Sequence, residues 1–312
     1  MKIIITGAIG HIGSYLIRDL GCFFPKANIV MIDNMVTQRF PSLFNLPINV
    51  NYSFIEGDVN QMNLKPIFFG ANVVIHLAAI TDAAGSIDNA EELEDNNFQS
   101  TSRVAEACIE ANASLIAISS TSVYGTQKDQ VDESCPESEL QPQSPYATTK
   151  LKEEELIFNL NKEKGLNSIH CRFGTIFGAS PGMRFHTAVN KFCWQAVMSQ
   201  PISVWSTAYN QKRPYLDLLD ASKAIAFIIQ NNIFDGQIYN VLTTNTTVRN
   251  VVDTIKEFVP NLEVEFVDNR IMNQLSYEVI SDRFKSKGFV FSGNMRRGIK
   301  ETINLLKYAN HI

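Results

Sequence analysis

The sequence has little of what marks a secreted, membrane-spanning or disulfide-linked protein. Its 312 residues include five cysteines, an odd number, and no two of them have C-x-x-C spacing. This argues against a disulfide framework or a zinc site and favours a reducing compartment, so we expect a cytoplasmic protein. No apolar run approaches the roughly 20 residues that span a bilayer, and the apolar start of the chain, 1–6, is too short to predict a signal peptide.

Positive charge is also scarce. The net charge is −5 and no basic run is longer than Arg296-Arg297, so we predict neither a nucleic-acid nor a membrane partner. No cluster of His, Cys and carboxylate side chains has metal-ligand spacing, and we predict no bound metal. The composition, with 45% apolar and 19% charged residues, is typical of a globular chain.

The first strong pattern is a strand, a glycine-rich turn and a helix. The isoleucines of Lys2 to Thr6 predict a short buried strand, and apolar residues at helical spacing follow Ser14. Between these elements Gly7, Gly10 and Gly13 have the spacing G-x-x-G-x-x-G. Glycines in this position let the chain turn tightly and let a pyrophosphate approach the amides at the helix N-terminus. The pattern therefore predicts a dinucleotide-binding turn.

Asp33 indicates which dinucleotide binds. It directly follows a second predicted strand, Asn28 to Ile32, and lies 20 residues after Gly13. A carboxylate in this place can accept hydrogen bonds from the two hydroxyls of an adenosine ribose, and it would repel a 2′-phosphate. We therefore predict NAD rather than NADP as the cofactor.

Strands and helices alternate through the first half of the chain, which predicts an α/β protein with a Rossmann-type, doubly wound parallel sheet. Residues 1–173 are expected to form an NAD-binding Rossmann domain and residues 174–312 a smaller α/β substrate-binding lobe, with some crossing of the chain between them. The polar, proline-containing segment 126–145 predicts a surface loop. Further strands are predicted at Tyr52 to Glu56, Asn72 to Leu77, Leu115 to Ser119 and Ser168 to Phe173, and helices at Ala90 to Ala111, Tyr146 to Lys164, 187–200 and 221–230.

Tyr146 and Lys150 are four residues apart in one predicted helix, so both side chains lie on the same face. A lysine ammonium one turn away favours the phenolate form of a tyrosine. Ser120 stands at the C-terminal end of the fifth predicted strand, at the sheet edge where open α/β sheets bind ligands. Tyr-x-x-x-Lys is a weak motif alone, but after a dinucleotide-type turn it predicts a catalytic base.

Together these motifs resemble those of the extended short-chain dehydrogenase/reductases, and more narrowly those of the NAD-dependent nucleotide-sugar epimerase/dehydratase family, which includes UDP-glucose 4-epimerase. The resemblance covers nearly the whole chain. It implies an enzyme that acts at C4 of a nucleotide-diphosphate sugar, and a homodimer formed through a four-helix bundle that includes the Tyr146 helix. The motifs are T-G-x-x-G-x-x-G from Thr6, Gly57-Asp58-Val59, His76 to Ala79, Asn97, Ser119 to Gly125, Tyr146-x-x-x-Lys150, Arg172 to Gly178 and Arg213-Pro214-Tyr215.

The resemblance also implies roles for single residues. Ser120, Tyr146 and Lys150 would be catalytic, with Tyr146 as the base. Apart from the resemblance, we expect the side chain of His11 at the solvent edge of the glycine turn. The residues implied to contact NAD are Gly7, Gly10, His11, Ile12, Gly13, Asp33, Asn34, Asp58, Val59, Leu77, Ala78, Ala79, Asn97, Ser119, Tyr146 and Lys150. Those implied to contact the sugar nucleotide are Thr81, Thr121, Ser122, Thr175, Arg184, Asn190 and Arg213.

Departures from the family pattern bear on the reaction. Dehydratases of the family carry an Asp-Glu pair directly after the catalytic hydroxyl, where this chain has Thr121 and Ser122. Members that epimerise C3 or C5 commonly have a cysteine at the second of these positions. The chain therefore does not match the pattern for 4,6-dehydration or for C3 or C5 epimerisation.

A second departure concerns the diphosphate. The arginine that usually stands shortly before the C-terminal tyrosine is replaced by Leu275, and the nearest arginine is Arg270. Arg184 and Arg213 remain as candidate ligands of the phosphates.

Several functions stay open at this point. One is a C4 epimerase whose 4-keto intermediate takes the hydride back, and another is a 4-dehydrogenase that releases the 4-keto product. A non-catalytic NAD-binding sensor on the same fold and a reductase of steroid-like or flavonoid substrates are further alternatives. The presence of Ser120, Tyr146 and Lys150 favours an enzyme over a sensor, and the arginines of the second half favour an anionic diphosphate substrate.

Overall fold

The structure is a computed structural model that describes residues 1–81, 90–125, 129–268 and 276–309. The strands within these residues are β1 (Lys2–Thr6), β2 (Asn28–Asp33), β3 (Asn51–Glu56), β4 (Val73–His76), β5 (Ser114–Ser120), β6 (Gln130–Val131), β7 (Ser168–Phe173), β8 (Thr175–Phe177), β9 (Ile202–Trp205), β10 (Lys212–Asp217), β11 (Ile238–Val241), β12 (Thr244–Thr247), β13 (Val264–Val267) and β14 (Glu278–Val279). The helices are α1 (His11–Phe23), α2 (Leu64–Phe68), α3 (Ala90–Ala111), α4 (Pro145–Lys164), α5 (Ala188–Val197), α6 (Leu218–Gln230), α7 (Val248–Lys256), α8 (Asp282–Ser286) and α9 (Met295–Leu306).

Seven strands form one sheet in the order β11-β7-β5-β4-β1-β2-β3, and every neighbouring pair is parallel. The predicted doubly wound parallel sheet is therefore confirmed. The chain runs outward from β1 to β3 and then returns to the other side of β1 as β4. This reversal opens a crevice between the ends of β1 and β4, which is where such sheets bind ligands.

Helices cover both faces of the sheet, and β1 shows why. Ile3 and Ile5 belong to one buried cluster, together with residues of α1 and α6, whereas Ile4 belongs to a second cluster with residues of α3 and α4. Successive strand residues point to opposite faces, so an uninterrupted isoleucine run suits a strand that is buried on both sides.

Helix α4, which carries the Tyr146 motif, has well-defined ends. The Ser144 hydroxyl accepts a hydrogen bond from the N–H of Ala147 at 3.2 Å, and Pro145 occupies the first helical position. Gly165 ends the helix with φ +69°, as predicted. The N-terminal cap therefore fixes Tyr146 as the second residue of the helix.

The second half of the chain builds a smaller unit of short sheets, β12-β10-β8 and β13-β9, packed against α5, α7 and α9. It also returns to the large sheet, because β11 pairs with β7 and α6 packs against α1. We propose that residues 174–312 nevertheless act as the substrate-binding lobe, with β11 and α6 as the crossing elements.

Two local predictions differ from the structure. The segment 129–145 is not only a loop, because β6 pairs with β14 and buries Val131. The helix predicted at 221–230 begins earlier, at Leu218, because the Asp217 carboxylate caps it by accepting from the N–H of Leu219. No helix among the described residues is long and apolar enough to cross a membrane.

Candidate active site

Close backbone contacts shape the glycine turn. Gly7 has φ +69°, and a Cβ on it would lie 2.7 Å from the backbone nitrogen of Ala78. A Cβ on Gly13 would lie 2.5 Å from the carbonyl oxygen of Gly7. Gly7 is therefore required for its left-handed backbone and its contact with the chain after β4, and Gly13 for the packing of α1 on the turn.

The space beyond Gly10 fits a pyrophosphate. A Cβ on Gly10 would meet the Gly7 carbonyl oxygen at 3.2 Å and Nη1 of Arg39 at 3.9 Å, and apart from its chain neighbours no other atom of the described residues lies within 4 Å. The first N–H groups of α1 have no acceptor within the helix, and the helix dipole favours an anion there. The half-buried Arg39 guanidinium adds positive charge to the same space.

The Asp33 carboxylate fits the ribose end of the same ligand. Its Oδ2 accepts from the N–H of Ile9 at 3.2 Å and its Oδ1 from the N–H of Met35 at 3.0 Å. Each oxygen can accept a second hydrogen bond, which leaves places for two ribose hydroxyls. Burial raises the pKa of Asp33, although the two N–H donors and Arg39 act in the opposite direction. The residues present therefore fit NAD along this turn.

A buried hydrogen-bond chain holds the end of β4 beside the turn. The N–H of Ala78 donates to Oγ1 of Thr6 at 3.3 Å, and the same oxygen is hydrogen-bonded to Nδ1 of His76 at 2.7 Å. Nε2 of His76 is hydrogen-bonded to the Thr101 hydroxyl at 3.2 Å. Burial lowers the pKa of His76 to about 3, which keeps the ring neutral. The chain fixes the backbone at 77–79, where cofactor contacts are predicted.

Other predicted cofactor residues use their side chains to shape the neighbouring backbone. The Asn97 amide accepts from the N–H of Ile80 at 2.8 Å and donates to its carbonyl at 2.9 Å. Asp58 and Asn34 each accept from the N–H two residues further on, at 2.8 and 3.2 Å. Val59 is buried. Their contact with NAD stays a prediction.

Ser120 ends β5 and caps a 3-10 turn over 121–123. Its Oγ accepts hydrogen bonds from the N–H of Ser122 at 3.2 Å and from the hydroxyl of Ser122 at 2.8 Å. A hydroxyl oxygen has two lone pairs, so both are used and the Ser120 proton is left to donate to a further acceptor. Thr121 differs, because it is buried and its hydroxyl donates to the Phe173 carbonyl at 3.2 Å.

Lys150 is held as a fixed positive charge near Tyr146. Its Nζ lies 5.7 Å from the ring centre of Tyr146 and 2.8 Å from Oε2 of Glu153. Lys150 and Glu153 are both buried, and within the described ranges Oε1 of Glu153 has no hydrogen-bond partner. Burial opposes the charge on Lys150, but the nearby Glu153 and Tyr146 outweigh it and raise the pKa of Lys150.

A second buried ion pair stands behind the end of β5. Oε1 of Glu154 accepts from the Ser119 hydroxyl at 2.5 Å and from Nε of Arg172 at 2.9 Å, and Oε2 accepts from Nη2 of Arg172 at 2.6 Å. The Arg172 guanidinium also lies over the ring of Tyr124, with its carbon 4.9 Å from the ring centre. The side chain of Ser119, predicted to contact NAD, is thus engaged inside the protein.

The predicted substrate residues come from both halves of the chain. Arg184 donates to the Thr81 hydroxyl, so these two predicted residues are brought together. The Arg213 guanidinium carbon lies 5.6 Å from the ring centre of Tyr277, and the Tyr277 hydroxyl donates to the carbonyl of Thr121 at 3.1 Å. Arg213 therefore lies close to the 3-10 turn after β5.

Thr175, Leu275 and Arg270 are the remaining residues that the sequence relates to the substrate. Thr175 lies in β8, half-buried, and is paired in register with Tyr215 of β10. Leu275 and Arg270, the positions at which the sequence departs from the family pattern, lie outside the described residues.

The prediction that the His11 side chain lies at the solvent edge is wrong. The residue is 5% exposed, and Nδ1 lies 2.8 Å from the Ser180 hydroxyl while Nε2 lies 3.2 Å from the amide nitrogen of Asn190. Burial, with the positive charges of Arg184 and Arg39, lowers the pKa of His11 to about 3. No local pattern indicates these contacts, because the partners are 169 and 179 residues away in the chain.

Asn190 is predicted to contact the substrate, and the structure places it behind the site. It is completely buried, its Oδ1 accepts from the N–H of Gly178 at 3.3 Å, and its Nδ2 donates to the carbonyl of Arg184 at 3.3 Å. Asn190 thus contacts the backbone of a candidate substrate residue, and its direct contact with a ligand stays a prediction.

Sequence reasoning missed three charged residues next to the predicted site: Arg39, Glu153 and Glu154. A signal existed for the glutamates, since residues three and four after Lys150 in a helix lie near its face. Arg39 carried no comparable signal, because it belongs to an irregular segment between β2 and β3 whose path the sequence does not define.

Comparison with known proteins agrees with this geometry. The profile of the NAD dependent epimerase/dehydratase family matches residues 3–241. The uncharacterized UDP-glucose epimerase YtcB of Bacillus subtilis is 30% identical over 250 residues, which cover 77% of this chain and 76% of that protein.

Two further similarities extend over almost the whole chain. The Arabidopsis thaliana protein RHM2, a trifunctional UDP-glucose 4,6-dehydratase/UDP-4-keto-6-deoxy-D-glucose 3,5-epimerase/UDP-4-keto-L-rhamnose-reductase, is 28% identical over 97% of this chain, but the match spans only 46% of that protein. The structure of MoeE5 with UDP-glucuronic acid and NAD superposes with a TM-score of 0.85 at 25% identity, covering 99% of this chain and 100% of that one. The chain belongs to the NAD dependent epimerase/dehydratase family, and its cofactor is NAD.

Proposed function

We propose that this protein is a 4-epimerase that acts on a nucleotide-diphosphate sugar through a 4-keto intermediate. The observation that carries the proposal is the hydroxyl pair of Ser120 and Ser122 at the end of β5. Ser122 occupies both lone pairs of the Ser120 oxygen, so Ser120 can donate its proton to an oxygen of the substrate. This is the hydrogen bond that an alkoxide forming at a sugar carbon needs.

Tyr146 and Lys150 supply the other half of the reaction. Tyr146 removes the proton of the sugar C4 hydroxyl as a general base, and Ser120 stabilises the same oxygen as negative charge develops. The buried ammonium of Lys150 lies beside Tyr146, with Nζ 5.7 Å from the ring centre. Bound NAD would supply the acceptor for the hydride from C4 and the donor for its return to the other face of the ketone.

Thr121 and Ser122 favour this chemistry over dehydration. Elimination of water needs an acid and a base near the neighbouring carbon, and residues 120–125 contain no carboxylate. The Thr121 hydroxyl is engaged with the Phe173 carbonyl and is not open to a ligand. RHM2 has a 4,6-dehydratase among its named activities, and the proposal for this chain differs from that activity on the basis of residues 120–125.

The substrate class rests on positive charge in the second half and on the relatives. Arg184 and Arg213 lie at the sides of the site and suit a diphosphate. YtcB is named a UDP-glucose epimerase, and MoeE5 was solved with UDP-glucuronic acid. We therefore propose a UDP sugar first, with dTDP and GDP sugars as the next candidates.

A 4-dehydrogenase that releases the 4-keto product is the second candidate, since it would use Ser120, Tyr146 and Lys150 in the same way. Incubation of the protein and NAD with UDP-, dTDP- and GDP-hexoses separates the two. The epimerase yields a C4-inverted sugar, detected by NMR, without net reduction of NAD. Stoichiometric NADH at 340 nm would instead identify the dehydrogenase, and binding without any turnover would identify a sensor.

Variants test the residues on the sugar that turns over. We expect Tyr146→Phe to lower kcat by about 10²- to 10⁴-fold while the Kd for NAD changes little, because only the proton-accepting group is lost. Tyr308→Phe, at a residue that is 84% exposed, is the matched control and should retain full activity. Full turnover by Tyr146→Phe would exclude Tyr146 as the base.

A further inference from the structure

A loop of the second half, Gly178–Arg184, lies directly on the glycine turn. The N–H of Gly182 donates to the hydroxyl of Ser14, a buried residue in the first turn of α1, at 2.9 Å. A Cβ on Gly182 would lie 2.2 Å from the carbonyl oxygen of Ile9 and 2.8 Å from that of Gly10. The backbone of this loop therefore packs against the backbone that is predicted to hold the pyrophosphate.

His11 joins the two segments from the side of the glycine turn. Asn190 Nδ2 is a donor, so Nε2 of His11 accepts its hydrogen bond, and Nδ1 then carries the proton that is donated to Ser180. Asn190 Oδ1 accepts a hydrogen bond from the N–H of Gly178, which supports this orientation of the amide. One neutral ring thus makes two directed hydrogen bonds.

One hydrogen bond of His11 ends on the loop, and the other ends on Asn190, which holds both ends of the loop. Ser180 belongs to the loop itself, and Asn190 also holds the Arg184 carbonyl and the Gly178 N–H, at the two ends of the loop. Arg184 in turn donates to the hydroxyl of Thr81, in the segment that follows β4. The only ring atoms of His11 that can hydrogen-bond are therefore both used to position the segment that presents Arg184.

We propose that His11 is a positioning residue that couples occupancy of the glycine turn by NAD to the position of the Gly178–Arg184 loop. NAD bound along the turn holds the backbone of His11 in place, and its ring then holds Ser180 and Asn190. The consequence for a sugar nucleotide, namely that NAD strengthens its binding, rests on the proposed function. The coupling of NAD to the loop does not.

Amide hydrogen exchange of peptides that cover residues 178–186 tests the coupling with NAD alone. Saturating NAD is expected to slow exchange of these peptides by about fivefold or more in the wild-type protein. His11→Phe and Ser180→Ala should lose most of this protection when each is saturated with NAD according to its own measured Kd. His11→Asn, whose amide can replace the Nδ1 donor, should restore part of it.

His170→Phe is the matched control, because His170 is also a buried neutral histidine but its ring nitrogens have no hydrogen-bond partner within the described ranges. It should keep the wild-type protection. Wild-type protection in both His11→Phe and Ser180→Ala would overturn the inference. Ser180→Ala removes one hydroxyl outside the glycine turn, so it remains informative if His11→Phe does not fold.

A second measurement addresses the sugar-nucleotide side. Saturating UDP or dTDP should lower the Kd for NAD by about fivefold or more in the wild-type protein, and His11→Phe should bring this ratio close to one. A ratio unchanged in His11→Phe would overturn the coupling between the two ligands. If UDP, dTDP and GDP all fail to bind the wild-type protein, the proposed substrate class fails, and the exchange measurement still decides whether His11 couples NAD to the loop.

Discussion

Nζ of Lys150 lies 2.8 Å from Oε2 of Glu153, three residues further along α4, and both side chains are buried. The carboxylate stabilises the ammonium and at the same time offsets part of the positive field that Lys150 exerts on Tyr146. The pair therefore sets how strong the positive field is at Tyr146.

Glu153→Gln removes the negative charge and keeps the shape of the side chain. We expect the pKa of Lys150, followed by NMR, to fall, because Glu153 is the largest of the charges that raise it against the effect of burial. The free energy of unfolding should fall by about 1–3 kcal/mol, since a buried ammonium loses its charged partner. Glu155→Gln, at an exposed position of the same helix, should change neither quantity.

Asp33 should determine the preference for NAD over NADP. Asp33→Asn replaces a charged acceptor with a neutral one, so we expect the Kd for NAD to rise by about 10- to 100-fold and the discrimination against NADP to shrink. Isothermal titration with both dinucleotides measures this. Asp253→Asn, at an exposed residue of α7, should bind both as the wild type does. An unchanged preference in Asp33→Asn would remove the assigned role.

The buried Glu154–Arg172 pair should be costly to break. Glu154→Gln leaves the Arg172 guanidinium buried beside a neutral partner, and we expect a loss of about 3–5 kcal/mol in the free energy of unfolding. The double variant Glu154→Gln/Arg172→Met should lose less than the sum of its single changes. Glu257→Gln breaks the exposed pair with Arg296 and should cost less than about 0.5 kcal/mol. Urea unfolding measures Glu154→Gln, Arg172→Met, the double variant and Glu257→Gln.

Buried histidines should make the protein less stable in mild acid. Burial lowers the pKa values of His11 and His76 from 6.5 to about 3 and that of His170 to about 4. The unfolded chain takes up these protons near pH 6.5 and the folded protein does not. The free energy of unfolding should therefore fall as the pH drops below 6.5, by about 1.4 kcal/mol per pH unit for each histidine, and should not depend on them above it.

His170→Phe checks this assignment, because it removes one of the three histidines without breaking a hydrogen bond among the described residues. We expect urea unfolding between about pH 5 and 7.5 to show a smaller dependence of the free energy of unfolding on pH. Below pH 6.5 the slope should be smaller by about 1.4 kcal/mol per pH unit, the contribution of one histidine. The same slope in the variant and the wild type would show that other groups dominate.

The homodimer stays a prediction, and Phe158 provides a test. This ring on α4 is 43% exposed, and α4 packs beside α3 as the predicted four-helix bundle requires. Light scattering should give about twice the chain mass of 35.0 kDa. Phe158→Asp should shift the protein toward the monomer, and Phe69→Asp, at a residue that is 80% exposed beyond α2, should not. A monomeric wild-type protein would rule out the dimer.

The sequence by itself determined the sheet and the cofactor end of the site. These features are local: an isoleucine strand, glycines at a strand-to-helix turn, an acid at the end of the next strand, and a Tyr–Lys pair at helical spacing. Each leaves a pattern within about one element, so residue spacing alone predicts it. The end of α4 before Gly165 is a local feature of the same kind.

Only the tertiary structure decided which side chains face the ligands and which hold the site together. Thr121, Ser119 and Asn190 were predicted as ligand contacts, but their polar atoms are engaged inside the protein. His11, expected at the solvent edge, is buried against Ser180, which is 169 residues away. Spacing along the chain carries no information about such a contact, because it depends on how a loop of the second half packs onto a turn of the first.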